Sequence, residues 1–231
     1  TRGAPVTSTS DFYKAFGLSA ICYTGAWAEN ENNWTTNFAH NLKVINSGTA
    51  WNAEDKLNWS GSGNIKFFAY SPYPDTDELK NIISHSGTSY KGTPTITYTV
   101  PKEVTKQPDF MTAVADCLDN GQGGTVTLKF THALTAITIK AGDDMLAGTI
   151  TGISISGVYG TGTYKIGSDT WNTTGSPTTF SIEDMNVPLP EDKDENDKNI
   201  DTKPGSDIIS GENTFMMIPQ TLGEGAKLEV Q

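Results

Sequence analysis

One stretch of the chain, residues 125–141, carries the clearest strand pattern and constrains the fold most. It reads TVTLKFTHALTAITIKA and lies between glycines at Gly124 and Gly142. From Val126 to Leu134, apolar side chains and His132 alternate with Thr, Lys and Ala, which predicts a strand with one buried and one wetted face. His132 falls on the inward parity, so we expect a buried structural residue rather than a catalytic one.

The alternation changes parity within the same stretch. Ile137 and Ile139 carry the apolar positions on the opposite parity from Val126. A slip by one residue exchanges the buried face or marks an inserted residue. We therefore predict a β-bulge or a change of sheet near Thr135 and Ala136.

The composition favours a globular, all-β fold. Of 231 residues, 35% are hydrophobic, 19% are charged and 23 are glycines. This profile, rich also in Thr, Ser and Asn, is typical of many short strands joined by turns. The length allows one large all-β domain or two small ones.

The charge of the chain excludes some partners. The formal net charge is −11, and no cluster of Lys and Arg is present to neutralise phosphates, which argues against nucleic acid and against an anionic membrane surface. No run approaches the ~18 consecutive apolar residues of a membrane span. Because no signal peptide begins the chain, we expect the mature form of the protein if it is exported.

Other segments predict short elements. Residues 76–84 fit a helix capped by Asp75 or Thr76. Periodicity alone also favours a helix over residues 107–118. Residues 149–158 and 163–166 have the pattern of a hairpin. Further strands are predicted at residues 12–23, 38–45, 64–70, 94–101, 178–185, 213–220 and 226–230.

The turn at residues 119–124, DNGQGG, is the most plausible domain boundary. It divides the chain into an N-terminal sandwich, residues 1–124, and a C-terminal sandwich, residues 125–231. Residues 191–201 carry six acidic residues and two lysines. We therefore expect a solvated acidic loop at about 190–206.

The sequence contains few features that are typical of a catalytic site. A nucleophile needs a nearby base, and the histidines available are His40, His85 and His132. No GxSxG motif surrounds a serine. No pair stands out among the carboxylates that a glycosidase would need, and we predict no enzymatic activity. The carboxylates considered are Asp109, Asp143, Asp144, Glu183 and Asp184.

Metal and cofactor sites are not predicted either. Asp192, Asp194 and Asn196 match the first three ligand positions of a calcium loop, but Asp197 stands at the required glycine and Lys203 at the terminal glutamate. The match fails. We expect no cofactor.

Two cysteines and a group of tryptophans leave alternatives open. Cys22 and Cys117 can form one disulfide or remain two buried thiols, and neither has metal-site spacing. The tryptophans of the first half can form a sugar-stacking platform or anchor the core, which is their commoner role. They are Trp27, Trp34, Trp51 and Trp59.

Arg2 is the only arginine in the chain. A protease specific for arginine would therefore have one possible cut, between Arg2 and Gly3, in a terminus that we expect to be loose.

Several segments, in their order and spacing, resemble the fimbrillin family, the type V pilins and Mfa-like surface lipoproteins of Bacteroidales. None is specific alone, but together they span most of the chain. They are FFAYSPY at 67–73, ITYTVP and QPDFM within 96–111, VTLKFTHALTAITIKAG at 126–142, the G-x-Y…W run at 162–171 and FMMIPQTL at 215–222.

The resemblance implies two transthyretin-like β-sandwiches in tandem with Greek-key connections, each of about seven strands. It also implies an extended segment, rather than a helix, at residues 107–118. Family members continue beyond the PQ strand, so we expect the second sandwich to be incomplete here or completed by another chain.

The resemblance further implies a non-enzymatic fimbrial subunit that contributes to adhesion. Such subunits are exported as lipoproteins to the outer membrane or fimbrium, with a lipid anchor as their membrane contact. A cut after an arginine, here between Arg2 and Gly3, then frees a strand and opens a groove for the donor strand of another subunit. The alternative is a carbohydrate-binding surface lipoprotein or adhesin that does not polymerise and meets a host or bacterial glycan or protein.

Overall fold

The structure, a computed structural model, describes residues 4–27, 35–58, 63–85, 91–117, 125–142, 147–168, 170–189, 192–193, 199–200 and 205–231. The proposed boundary turn and most of the acidic loop therefore lie outside the described residues.

The described residues form twenty-one strands, a short α-helix and two turns of 3₁₀ helix. Helix α1 spans Asp77–Ile82, and the 3₁₀ turns span Val104–Lys106 and Gly211–Asn213. The strands are β1 Ala15–Tyr23, β2 Ala39–Asn46, β3 Trp51–Ala53, β4 Asn64–Ser71, β5 Ile83–His85, β6 Thr95–Thr99, β7 Met111–Cys117, β8 Thr131–His132, β9 Thr135–Ile137, β10 Ile139–Lys140, β11 Gly148–Ile150, β12 Ile153–Val158, β13 Thr161–Lys165, β14 Trp171–Thr174, β15 Thr178–Ile182, β16 Val187–Leu189, β17 Asp192–Lys193, β18 Asn199–Ile200, β19 Asp207–Ile209, β20 Phe215–Met217 and β21 Lys227–Val230.

The largest sheet is antiparallel and has six strands in the order β3-β2-β1-β4-β7-β8. A four-stranded sheet has the order β14-β13-β6-β5, and a three-stranded sheet has the order β15-β12-β21. The remaining strands pair two by two, as β10-β19, β11-β16, β17-β18 and β20-β9. The prediction of an all-β fold is confirmed.

Apolar side chains cover both faces of the six-stranded sheet. In β4, Phe67 and Ala69 face one core, whereas Phe68 and Tyr70 face another, because successive side chains of a strand point to opposite faces. The core on the Phe68 side is the larger and continues into the second half of the chain, where it includes Phe215.

Hydrogen bonding also crosses the proposed domain boundary. Strand β6 pairs with β13 along its whole length, from Thr95 to Thr99. The division into residues 1–124 and 125–231 remains a proposal, and this pairing joins strands from its two sides.

The stretch at residues 125–141 is not one continuous strand. Val126 and Leu128 are partly buried and Thr127 is exposed, so the predicted alternation is present. Strand β8 then pairs with β7 in the six-stranded sheet, whereas β9 pairs with β20. The parity slip thus coincides with a change of sheet, as predicted.

The prediction that His132 is buried is wrong. Its side chain is 48% exposed, and Nδ1 lies 2.8 Å from Oδ2 of Asp109. The imidazole sits at the end of a two-residue strand, where it turns toward a buried carboxylate instead of the apolar core. Position in an alternating pattern does not reveal such a partner.

Two further predictions need correction, and one is confirmed. Helix α1 begins where expected, since Thr76 Oγ1 accepts a hydrogen bond from the Leu79 N–H at 3.2 Å. The helix that periodicity favoured at residues 107–118 is the strand β7, preceded by an irregular segment. The hairpin is also wrong, because β12 pairs with β15 and β21 while β13 pairs with β6 and β14.

Cys22 and Cys117 do not form a disulfide. Cys22 of β1 and Cys117 of β7 both lie opposite Ile65, on either side of β4. Two strand spacings separate their backbones by roughly 9 to 10 Å, beyond the ~7 Å limit for a disulfide.

Candidate functional site

The candidate site is a groove of about 550 Å³ on the Phe67 side of the six-stranded sheet. We call it the apolar groove. Among the described residues that line it, none is ionisable. They are Val6, Thr7, Ser8, Thr9, Phe12, Phe16, Asn46, Trp51, Met111, Val126, Leu128 and Phe130.

Four aromatic rings from separate segments meet in the apolar groove. Phe130 lies 4.8 Å from Phe12 and 5.3 Å from Phe16, measured between ring centroids. Trp51 packs against the same two phenylalanines at 5.6 and 5.2 Å. Edge-on and tilted contacts of this kind stabilise aromatic clusters. These rings hold the N-terminal segment, β1, β3 and the residues before β8 together.

A tight turn positions Trp51 at the groove. Strands β2 and β3 pair Asn46 with Trp51, and Gly48 between them has φ of +92°. Glycine adopts this conformation without a steric penalty. The Gly48 N–H donates to the Asn46 side-chain oxygen at 2.7 Å. Trp51 is 41% exposed and faces the opening.

Residues 125–130 form one border of the apolar groove. They belong to no strand, although alternate side chains contact the core below. Among the described residues, no backbone hydrogen bond involves this segment. An extended backbone without ladder partners offers the groups that another strand can pair with.

Residues 4–9 form the other border and are not the loose lead-in expected. Ala4 and Val6 are buried. The Val6 N–H donates to Oδ2 of Asp109 at 2.8 Å, and the same oxygen contacts His132. Asp109 is fully buried. Burial raises the pKa of its carboxyl, while the Val6 N–H and His132 act in the opposite direction.

The predicted site residues do not gather in one place. Trp27 packs on the larger core, with its ring 5.3 Å from the Lys66 ammonium. Trp51 is the predicted tryptophan that lines the apolar groove. Arg2, Gly3, Trp34 and Trp59 lie outside the described residues. The sequence does not identify Phe12 and Phe16 as site residues. Their strand-like pattern does not show which face of the sheet is left open as a groove.

One serine and one histidine do come together. Ser19 Oγ lies 3.3 Å from His85 Nε2, and the same oxygen accepts the Asn41 N–H at 3.0 Å. Asn41 has φ of +48°, next to the irregular register between β1 and β2 at residues 18–20. Burial, with the nearby His40, lowers the pKa of His85 to about 4. We interpret this cluster as the polar support of a bulge.

The part of the chain that the structure describes has neither a cluster of metal ligands nor a membrane-spanning helix. There, no group of three or more His, Cys, Asp and Glu is placed to hold a metal ion. No helix in these residues is long and apolar enough to cross a bilayer. Most of the acidic loop that failed the calcium match lies outside the described residues.

The fold and the groove define a class: an all-β protein of several antiparallel sheets, with an apolar sheet face that stays open at one groove. Within this class, a family model described as fimbrillin-like matches residues 17–231. The chain belongs to the fimbrillin-like family, which confirms the resemblance seen in the sequence.

Individual relatives agree with this assignment. The fimbrium subunit Fim1C of Phocaeicola vulgatus is 33% identical, over 74% of this chain and 51% of that protein. This chain thus spans about half the length of that curated relative.

Solved structures show the same fold. A crystal structure of a fimbrial protein from Bacteroides vulgatus matches with a TM-score of 0.67 and 24% identity, over 93% of this chain and 75% of that one. A Bacteroides ovatus structure, described as a cell adhesion protein, matches with a TM-score of 0.56 and 16% identity, over 94% and 72% of the two chains.

Proposed function

We propose that this chain is a structural subunit of a cell-surface fimbria and that subunits join by donor-strand exchange at the apolar groove. Family membership supports the first part of this proposal. The observation that carries the second is the segment at residues 125–130, an extended border without backbone partners among the described residues, beside an uncharged apolar groove.

The geometry suits a strand better than a compact ligand. An incoming strand would pair its backbone with residues 125–130 and place every second side chain against Phe12, Phe16 and Phe130. Because the lining is uncharged, the inward side chains of that strand would be apolar. Its outward side chains are free to vary.

A pair of matched substitutions tests the proposal. Leu128 lines the groove and Thr127, its neighbour in the same segment, is exposed. Leu128→Lys would place a charge in the groove, where it lacks a partner, so we expect it to abolish incorporation into fimbriae. Thr127→Lys adds the same charge on the outer side, and we expect normal incorporation. Immunogold labelling of native fimbriae measures the incorporation of both variants.

Equal incorporation of the two variants, each shown to be folded, would rule out the groove as the joining site. Label along the fibres would indicate a stalk subunit and label at their ends a tip subunit. Absence of the unaltered chain from all fibres would contradict the subunit role itself.

We also propose that the bond between Arg2 and Gly3 is the processing site. This bond lies just before Ala4, which is buried, and Val6 two residues further on lines the groove, so a cut there would leave the docked segment as the new terminus. Mass spectrometry of isolated fibres should find chains that begin at Gly3. An intact Thr1 and Arg2 at that terminus would contradict the proposal.

Attachment to the outer membrane through a lipid anchor and a contribution to adhesion complete the proposal. The rival function, glycan binding without polymerisation, has one structural observation in its favour, the exposed Trp51. A glycan array on the monomer distinguishes the two. Hits that disappear in Trp51→Ala, together with absence from fibres, would favour the rival.

A further inference from the structure

Asp109 lies where the border of the apolar groove meets the interior. Its carboxylate is fully buried, and Oδ2 lies 2.8 Å from the Val6 N–H and 2.8 Å from His132 Nδ1. Val6 belongs to the segment that borders the groove. A single buried oxygen thus connects the N-terminal border with β8.

The backbone around Asp109 is held by several elements. The Asp109 N–H donates to the Tyr13 hydroxyl at 3.0 Å. The Phe110 carbonyl accepts the Ala133 N–H at 2.9 Å, and the Pro108 carbonyl accepts the Tyr98 hydroxyl at 2.8 Å. These hydrogen bonds fix the backbone segment from which the Asp109 carboxylate projects.

Gln107, two residues before Asp109, makes two more hydrogen bonds. The Gln107 amide oxygen accepts the Met216 N–H at 2.7 Å, and its amide nitrogen donates to the Pro101 carbonyl at 2.9 Å. Gln107 is fully buried. The segment at residues 107–110 thus ties the groove border to β20 in the second half of the chain.

We propose that Asp109 is the positioning residue of the apolar groove: its carboxylate holds Val6, and with it residues 6–9, in the place that an incoming strand requires. This inference rests on the proposed function, since it concerns the same groove. Hydrogen bonds to an ionised acceptor are stronger than neutral ones. The bond to Val6 is also shielded from water. Without it, the border has no other described anchor to the segment at residues 107–110.

The test compares Asp109→Ala with Asp109→Asn. Alanine removes the acceptor, whereas asparagine keeps one oxygen, loses the charge and carries an amide NH2 in place of the other oxygen. The control is Asp116→Ala, which removes an exposed carboxylate from β7, where it pairs with Lys66 at 2.8 Å. Hydrogen exchange of the Val6 to Thr9 amides measures how firmly this border segment is held in place. The affinity of a short uncharged peptide of alternating valine and threonine reports the groove.

We expect Asp109→Ala to raise exchange at Val6 and to weaken peptide binding, each by about tenfold or more, as loss of a hydrogen bond to a charged group implies. Asp109→Asn should restore most of the slow exchange at Val6 and most of the peptide affinity. Asp116→Ala should change neither of these quantities. If Asp109→Ala does not fold, Val6→Pro removes the donor instead of the acceptor. Because proline has no N–H, exchange is then read at Thr7 to Thr9, where it should rise, and peptide binding should weaken as before.

Two outcomes overturn the proposal and differ from each other. A folded Asp109→Ala with unchanged exchange at Val6, or with faster exchange and unchanged peptide affinity, would show that Asp109 does not position the groove. A peptide that binds no variant, not even the unaltered chain, would show that strand addition itself is wrong, and the positioning role would fall with it.

Discussion

At the scale of single residues, an informative polar contact joins Ser19 of β1 to His85 of β5. His85 contacts Ser19 at 3.3 Å, and the ring of His40 lies 5.1 Å away. Burial, with His40 as a second cause, lowers the pKa of His85 from 6.5 to about 4. The neutral imidazole is therefore the form that the folded chain accepts.

This pKa predicts how stability depends on pH. The unfolded chain takes up a proton on His85 near pH 6.5, whereas the folded chain does so only near pH 4. The free energy of unfolding should therefore decrease as the pH falls from about 6.5 to about 4. Chemical denaturation of the unaltered chain and of His85→Gln at pH 7 and pH 5 measures this. An equal loss of stability in both chains would contradict the assignment to His85.

At the scale of elements, close approach between β1 and β4 depends on one glycine. Gly17 pairs with Tyr70 across the two strands, and the Tyr70 ring covers it so closely that a Cβ on Gly17 would lie 2.2 Å from a ring carbon. The Tyr70 hydroxyl donates to Asn41 at 2.7 Å, which fixes the ring in that position.

Gly17→Ala should therefore destabilise the chain by about 1 to 3 kcal/mol, the usual cost of overpacking a core. Gly148→Ala is the matched control, because no atom lies within 4 Å of a Cβ there, and we expect little change. Thermal unfolding of both variants measures the difference. If the two variants lose equal stability, the ring does not occupy the space above Gly17.

Elements were predictable from the sequence where a local signal decided them. Thr76 capped α1 as expected, and the parity slip at Thr135 marked a real change of sheet. The wrong predictions concern which strands pair with each other. The glycines of residues 160–162 looked like a hairpin turn, but β12 and β13 go to different sheets, and a turn signal does not reveal which strand lies alongside.

The candidate site was predictable only in part for the same reason. Trp51 is one of four tryptophans for which the sequence leaves a sugar-stacking platform or a core anchor open, and the family resemblance implies a groove. The bond from Val6 to Asp109 spans 103 positions of the chain, so no local pattern could show it. The alternating pattern places His132 in the core because it does not show the buried carboxylate of Asp109, which lies 23 positions away.

At the scale of the whole molecule, two of the apolar surfaces that the described residues form are open. One is the apolar groove. The other is a cleft of about 330 Å³ near the last strand, lined by Ile137, Met217 and Leu228, with Leu222 at its edge 66% exposed. Monomeric proteins rarely leave such surfaces without a function. Their position in two different parts of the fold suits a molecule that contacts neighbours on more than one side.

The uncharged lining of the apolar groove has a consequence for the rate of assembly. Two copies with a net charge of −11 each repel one another, and the described residues that line the groove carry no opposite charge to steer them together. Salt shortens the range of this repulsion, from about 30 Å at 0.01 M to about 8 Å at 0.15 M. Ionic strength should therefore accelerate the association of subunits, and stopped-flow light scattering at several salt concentrations measures it. As the control, the uncharged valine and threonine peptide should bind at a rate that does not depend on salt. Slower association of subunits at higher salt would mean that opposite charges attract the subunits, and it would contradict this prediction.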